Sequence, residues 1–233
     1  MIWAFVQPLL MLAVYTFVFS VIFEAKWGKD LDQGHLSFAM ALFVGILTFN
    51  IIGDTVNASP QLILTHANFV KKVVFPLEIL PLVKLIESQI FSLFGMSVLL
   101  SAQLIFDQTL HWTLIFLPLV WLPVSLFALG WSYVIASLGV FIRDIGSITG
   151  VVVTMVFFLS PIFYPLSAVP EKLRIYCQIN PIAMFVQDAR RVVLWGQMPN
   201  WLWFGMYFFV SIAVFTLGFA WFMKSKKAFA DVL

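Results

Sequence analysis

The chain has 233 residues, of which 62% are hydrophobic and only 10% are charged, and its mean hydropathy is +1.02. Soluble domains carry about 25% charged residues, so this composition excludes an ordinary soluble globular protein. The formal net charge of +2 and the single cysteine, Cys177, argue against a basic nucleic-acid-binding surface and against an internal disulfide framework. The sequence therefore predicts helices packed in a lipid bilayer.

Six uncharged stretches between successive charged residues are each long enough for a helix that crosses the hydrocarbon core, which takes about 20 apolar residues. We therefore predict an all-α polytopic membrane protein with a single transmembrane domain over residues 1–233. An even number of crossings places both termini on the same side of the membrane. The six predicted spans cover residues 2–23, 36–53, 80–106, 112–141, 145–162 and 202–223.

The orientation of these spans is not fixed by charge. Lysine and arginine residues near the span ends divide six against six between the two sides, so the positive-inside rule gives a tie. The lysine cluster at the C-terminus, Lys224, Lys226 and Lys227, favours cytoplasmic termini.

Two connecting segments have distinctive patterns. Residues 54–76 are too polar to cross a membrane but hold an apolar component, which fits a short amphipathic helix on the membrane surface or against a partner, or an ordinary connecting loop. Residues 161–201 contain five prolines, and we expect two short helices broken near Asn180 and Pro181. We predict a re-entrant extracytoplasmic segment there, before the last span; the alternative is a surface loop with a helix lying flat.

Chemical motifs are scarce. The sequence has no GxxxxGK[ST] phosphate loop, so energy from ATP must come from another subunit, and we expect this chain to bind no metal or cofactor of its own. Asp30 and Asp32 form a DxD pair, a weak motif without a nucleotide-binding domain around it. Lys84 and Glu87 lie three residues apart in the third predicted span, where we predict an intramembrane ion pair; a proton relay is the less favoured alternative.

Aromatic residues are the most abundant candidates for substrate contact, because flat rings pack against the apolar faces of sugars. Lipid-facing and interfacial positions account for most of them. As residues of a translocation path we select Tyr15, Phe19, Phe158 and Tyr164.

Several segments together resemble the permease subunits of type-2 ABC exporters, and most of all the branch that exports O-antigen, capsule or teichoic acid precursors. The resemblance covers nearly the whole chain. It is carried by WAFVQPLLMLAVYTFVFSVIF (3–23), NASPQLILTHANFVKKVVFPLEILPL (57–82), GVFIRDIG (139–146), SPIFYPLSAVPE (160–171) and INPIAMFVQDARRVVLWG (179–196).

This resemblance implies a homodimer bound to two copies of an ABC ATPase that holds ATP and Mg, in the inner membrane of a bacterium with both termini cytoplasmic. The transported molecule would be a lipid-linked polysaccharide. The first and fifth spans would face the dimer axis, and residues 161–201 would form the extracytoplasmic gate. By the same resemblance, residues 54–76 form a cytoplasmic coupling segment that includes a helix. The residues that couple to the ATPase are Asn68, Lys71, Lys72, Phe75, Pro76, Glu78, Arg143 and Asp144.

Members of the family usually begin with a basic amphipathic helix before the first span, whereas this sequence begins with the first span. Three alternatives stay open at this point: an ABC exporter permease for a lipid or drug, an ion-coupled carrier that uses Glu87, and a membrane enzyme acting on lipid-linked sugars. The enzyme would place its interfacial site around Glu171, Arg174, Asp188, Arg190 and Arg191.

Overall fold

The computed structural model describes residues 2–18, 35–66, 75–106, 108–165 and 169–232. Within these ranges the chain is helical with short connecting turns and has no β-strand, which confirms the all-α class. Two 3₁₀ turns lie at Trp112–Phe116 and Lys226–Ala228. The α-helices are α1 (Ile2–Tyr15), α2 (His35–Thr65), α3 (Ile79–Phe106), α4 (Leu117–Phe141), α5 (Ile145–Leu159), α6 (Glu171–Ile179), α7 (Pro181–Val193), α8 (Trp201–Ser225) and α9 (Phe229–Val232).

Four helical stretches of the described chain are long and apolar enough to cross a membrane. They are Phe38–Thr65, Ile79–Phe106, Trp112–Phe141 and Trp201–Ala228, each of 28 or 30 residues. At 1.5 Å per residue such helices reach ~42 Å, beyond the ~30 Å of hydrocarbon that they must cross. Two shorter apolar stretches, Pro8–Val18 and Ile145–Leu159, fall in the predicted first and fifth spans. The count of six crossings stays a prediction.

Helix α2 differs from the prediction because it continues to Thr65, past residue 53, where we expect the second span to end. Its polar residues remain helical because their hydroxyls are satisfied within the helix: Thr55 Oγ1 donates to Ile51 O at 2.7 Å and Ser59 Oγ to Thr55 O at 2.6 Å. The first half of the predicted coupling segment is therefore part of α2. Residues 67–74, its central part, lie outside the described residues.

The chain divides into two compact units. The first unit comprises residues 1–49, 90–121 and 158–204. Its helices are joined by hydrogen bonds from side chains to backbone carbonyls of a neighbouring helix. Ser92 Oγ donates to Leu47 O at 3.0 Å, and Thr113 Oγ1 donates to Val192 O at 2.7 Å. These donors are buried, so each bond is protected from water and fixes the position of its helix.

The second unit comprises residues 50–89, 122–157 and 205–233. Here the interhelical bonds join side chains: Ser59 Oγ lies 2.6 Å from Ser132 Oγ, and Gln89 Nε2 donates to Ser125 Oγ at 2.6 Å. The backbones of α4 and α8 also approach closely where Gly130 faces Gly218. Small and hydroxyl-bearing residues thus hold this unit together, as is typical of helices packed in lipid.

The segment 161–201 contains two short helices, α6 and α7, which meet at Asn180. Pro181 occupies the first position of α7, where its missing N–H is not needed, and the Asn180 side chain accepts from Ile182 N at 3.0 Å as an N-cap. The position of the break follows from these two residues. A re-entrant course of this segment through the bilayer stays a prediction.

Candidate functional site

Two of the four predicted path residues lie together at the end of α5. Phe158, with 60% of its side chain exposed, stacks on Phe163 with ring centroids 5.4 Å apart and an interplanar angle of 16°. Tyr164 Oη donates to Leu159 O at 3.2 Å, so its ring folds back on the same helix end. Tyr15 lies half-buried on α1. Phe19 lies outside the described residues.

The predicted coupling residues are described only in part, because Asn68, Lys71 and Lys72 lie outside the described residues. The remaining ones lie in two turns of the second unit and are exposed or half-buried. One turn precedes α3 and contains Phe75, Pro76 and Glu78; the other joins α4 to α5 and contains Arg143 and Asp144, both exposed. Exposed turns of this kind are accessible to a partner protein.

Glu78 is held by two contacts within the second unit. Its carboxylate accepts from Lys226 Nζ at 2.7 Å, and its backbone carbonyl accepts from Tyr133 Oη at 3.0 Å. Lys226 begins the 3₁₀ turn after α8. The start of α3 is therefore bonded both to α4 and to the end of α8.

Partial burial by itself would raise the pKa of the Glu78 carboxyl. The hydrogen bond from Lys226, a hydrogen bond from the Glu78 backbone and the charge of Lys226 together outweigh burial and lower the pKa below its ordinary value. A carboxyl with a lowered folded-state pKa contributes stability above its unfolded pKa of about 4.3 and loses it as the pH falls through the lower value. The pair is partly exposed, so we expect its contribution to be no more than about 1 kcal/mol.

We therefore predict that acidification below pH 4 loosens the end of α8 in the wild-type chain. The measurement is protease cleavage near the C-terminus of the detergent-solubilised protein as a function of pH. In Glu78→Gln the cleavage should already be faster at pH 7 and should no longer increase through this acid step. A wild-type cleavage rate that does not change between pH 7 and pH 3.5 would contradict this role of the ion pair.

Lys84 and Glu87 lie on α3, with Lys84 Nζ 3.1 Å from Glu87 Oε2. A third ionisable residue of the second unit, Asp54 on α2, interacts electrostatically with both charges. Sequence reasoning missed Asp54, because it placed the end of the second span at residue 53. The signal was present in the spacing of Asp54, Asn57 and Gln61, which recur at helical intervals.

The first unit contains a buried arginine that sequence reasoning did not single out for this role. Arg190, on α7, is 1% exposed, and its guanidinium donates to three backbone carbonyls. Nε reaches Ala41 O on α2 at 2.7 Å, Nη1 reaches Pro161 O at 3.0 Å, and Nη2 reaches Ile162 O at 2.6 Å. The planar fork thus joins α7 to α2 and to the turn after α5.

Gly45 makes room for this guanidinium. A Cβ at this position on α2 would lie 2.7 Å from Arg190 Nη2. Burial lowers the pKa of Arg190 to about 9, which leaves it charged at neutral pH. The spacing of a glycine and an arginine 145 residues apart gives no local signal, so only the fold shows that they belong together.

Asp188, also on α7, is 6% exposed and accepts from Asn200 N at 3.2 Å. Burial raises the pKa of its carboxyl to about 6, against the opposing effects of that hydrogen bond and of Arg191. Asp188 and Arg190 thus serve the fold of the first unit. This arrangement does not favour the alternative of an interfacial enzyme site around them. Among the described residues no group of three or more His, Cys, Asp or Glu is arranged to hold a metal ion.

Comparison with known proteins agrees with this membrane architecture. The sequence profile of the ABC-2 type transporter family matches residues 1–194. Two proteins of Klebsiella pneumoniae named O-antigen export system permease protein RfbA are each 22% identical over the whole chain, which covers 86% of their length. A protein of the same name from Myxococcus xanthus is 23% identical over 85% of this chain and 74% of its own length.

Proposed function

The chain belongs to the ABC-2 type transporter family, and we propose that it is the permease subunit of an ATP-driven exporter of lipid-linked polysaccharide. The observation that carries this proposal is the similarity to O-antigen export permeases over the full length of the chain. The four long apolar helices supply the membrane-embedded body that such a subunit needs. The relatives are named O-antigen export permeases, which favours a glycan over a lipid or a drug as the substrate.

We assign ATP hydrolysis to a partner. The sequence has no phosphate loop, and family membership implies an ABC ATPase subunit. Two copies of that ATPase would hold ATP and Mg and bind a homodimer of this chain in the inner membrane of a bacterium. Both termini would then lie in the cytoplasm, next to the ATPase.

The second unit offers a route for the mechanical coupling. The turn before α3, with Phe75, Pro76 and Glu78, and the turn Arg143–Asp144 would contact the ATPase. Since Glu78 is bonded to Lys226 at the end of α8 and to Tyr133 on α4, a displacement of this turn is passed to three helices at once. Closure of the ATPase pair would thereby shift these helices and open the path for the lipid-linked glycan.

The experiment that tests this function is copurification with the ATPase expressed beside the chain, followed by an export assay in cells. The wild-type chain should retain the ATPase and carry glycan to the cell surface. A purified chain that binds no ATPase and processes a lipid-linked sugar by itself would overturn the proposal in favour of the membrane enzyme.

We further predict that Lys71→Glu combined with Lys72→Glu, or Arg143→Glu alone, reduces retention of the ATPase by tenfold or more, because each reverses charge in a proposed contact. Membrane insertion should be unchanged. Lys172→Glu, the reversal of an exposed charge on α6, serves as the control and should retain the ATPase fully. Full retention by all the variants would contradict the assignment of these two segments.

A further inference from the structure

The exposed residues of α2 are polar without exception over a long stretch. Between Phe38 and Thr65 most side chains are buried, and the exposed ones are Asp54, Asn57, Gln61 and Thr65. Their spacing of three, four and four residues places them on one face of the helix, because an α-helix has 3.6 residues per turn. This face, which we call the polar stripe, extends over ~16 Å of a helix that is otherwise apolar enough to span a membrane.

Charged residues of α3 lie beside the polar stripe. Thr55 Oγ1 lies 3.4 Å from Ser88 Oγ, so residue 54 of α2 lies at about the level of residues 87–89 of α3. The Lys84–Glu87 pair, at 3.1 Å, acts electrostatically on Asp54 from there. Three charges therefore meet at the same end of the second unit, with one more negative charge than positive.

The other exposed face of α3 is chemically opposite. At the same level, Ile86 and Ile90 are 45% and 47% exposed, and Val83 and Leu93 extend this apolar face along the helix. Apolar side chains that are exposed within a span are suited to lipid, whereas exposed carboxylates and amides are not, because hydrocarbon offers them neither solvation nor partners. The two faces thus require different surroundings at one depth.

We propose that the polar stripe, together with Lys84 and Glu87, is a hydrated wall of the translocation path that contacts the hydroxyl-rich part of the transported chain. This inference rests on the proposed function and places a second contact region apart from the predicted aromatic path residues. Carboxylates accept hydrogen bonds from sugar hydroxyls, and amides both donate and accept them. Because Asp54, Lys84 and Glu87 together carry more negative than positive charge, this wall would repel phosphate groups and is better suited to neutral sugars.

The first experiment measures hydration by cysteine labelling. In a Cys177→Ser background, single variants Asn57→Cys and Gln61→Cys are treated in leaky membrane vesicles with a sulfonated maleimide, which reacts with hydrated thiolates. The matched controls, Ile86→Cys and Ile90→Cys, have similar exposure in the structure and lie on the lipid-suited face of α3. We expect the stripe positions to react at least tenfold faster. Equal rates at both sets of positions would overturn the proposal.

The second experiment tests contact with the transported chain. The Cys177→Ser chain must first export glycan with its ATPase. If wild type exports glycan and Cys177→Ser does not, Cys177→Ala is used as the background. If wild type itself exports no glycan, the proposed function is wrong. Labelling of Gln61→Cys with the same maleimide should then reduce export at least fivefold. Labelling of Val232→Cys, an exposed position near the C-terminus, should leave export unchanged. Full export by the labelled Gln61→Cys chain would overturn the assignment of the stripe to the path.

Discussion

Replacement of Arg190 with methionine is expected to destabilise the protein by about 3 kcal/mol, the largest effect that we predict for a single side chain. The guanidinium makes three hydrogen bonds to backbone carbonyls, each worth about 1.5 to 3 kcal/mol for a charged donor. Its own desolvation offsets part of that sum. The carbonyls of Pro161 and Ile162 lie in a turn, so they would be left buried without this donor.

The measurement is thermal unfolding of the purified chain in detergent, compared with wild type. Arg191→Met is the matched control, because Arg191 is adjacent on α7 but only half-buried, and its Nε has no hydrogen-bond partner among the described residues. Arg190→Lys should fall between wild type and Arg190→Met, since an ammonium keeps the charge but not the planar fork. If Arg190→Met and Arg191→Met unfold at the same temperature, the three bonds do not stabilise the first unit as we infer.

Gly218→Ala is expected to destabilise the second unit by about 2 kcal/mol or more, because overpacking of a close helix contact forces the backbones apart. A Cβ at residue 218 would overlap the carbonyl oxygen of Gly130 and lie 2.8 Å from its carbonyl carbon. These are backbone atoms of α4, which cannot turn aside as the end of a flexible side chain can. The reverse change, Gly130→Ala, would place a Cβ 2.5 Å from Val214 O on α8.

The control lies on the same helix. A Cβ at Gly205, also on α8, would meet no atom within 4 Å, so Gly205→Ala should leave the stability unchanged or raise it by up to about 1 kcal/mol through helix propensity. Urea or thermal unfolding in detergent separates the two variants. Equal stability of Gly218→Ala and Gly205→Ala would show that α4 and α8 are not in close contact at this point.

Apolar length alone predicts several helices closely. We expect spans over residues 80–106 and 202–223, and the structure has α3 at Ile79–Phe106 and α8 at Trp201–Ser225. The predicted second span ends at residue 53, where the polar residues begin, whereas α2 continues to Thr65. Hydroxyl groups in a helix can bond the carbonyl four residues earlier, so polar residues such as Thr55 and Ser59 need not leave the helix.

Local sequence patterns do not predict the tertiary contacts. Gly130 and Gly218 lie 88 residues apart, and nothing in either local sequence indicates that they face each other. The burial of Arg190 is not indicated by its local sequence either. Two adjacent arginines suggest an exposed or interfacial position, yet Arg190 is buried where three backbone carbonyls converge. The Lys84–Glu87 contact, in contrast, depends only on helical spacing within one element, which is why its geometry was accessible from the sequence.

The corner between α6 and α7 is stabilised by the hydrogen bonds of a single residue, Asn180. Asn180 uses all four of its polar groups: its N–H donates to Tyr176 O, its C=O accepts from Ala183 N, Nδ2 donates to Ser160 Oγ at 2.9 Å, and Oδ1 accepts from Ile182 N. Aspartate offers no donor for Ser160, and serine is too short to reach both neighbours. A change in the angle between α6 and α7 would break at least one of these four bonds, so the two helices are expected to move together at a constant angle.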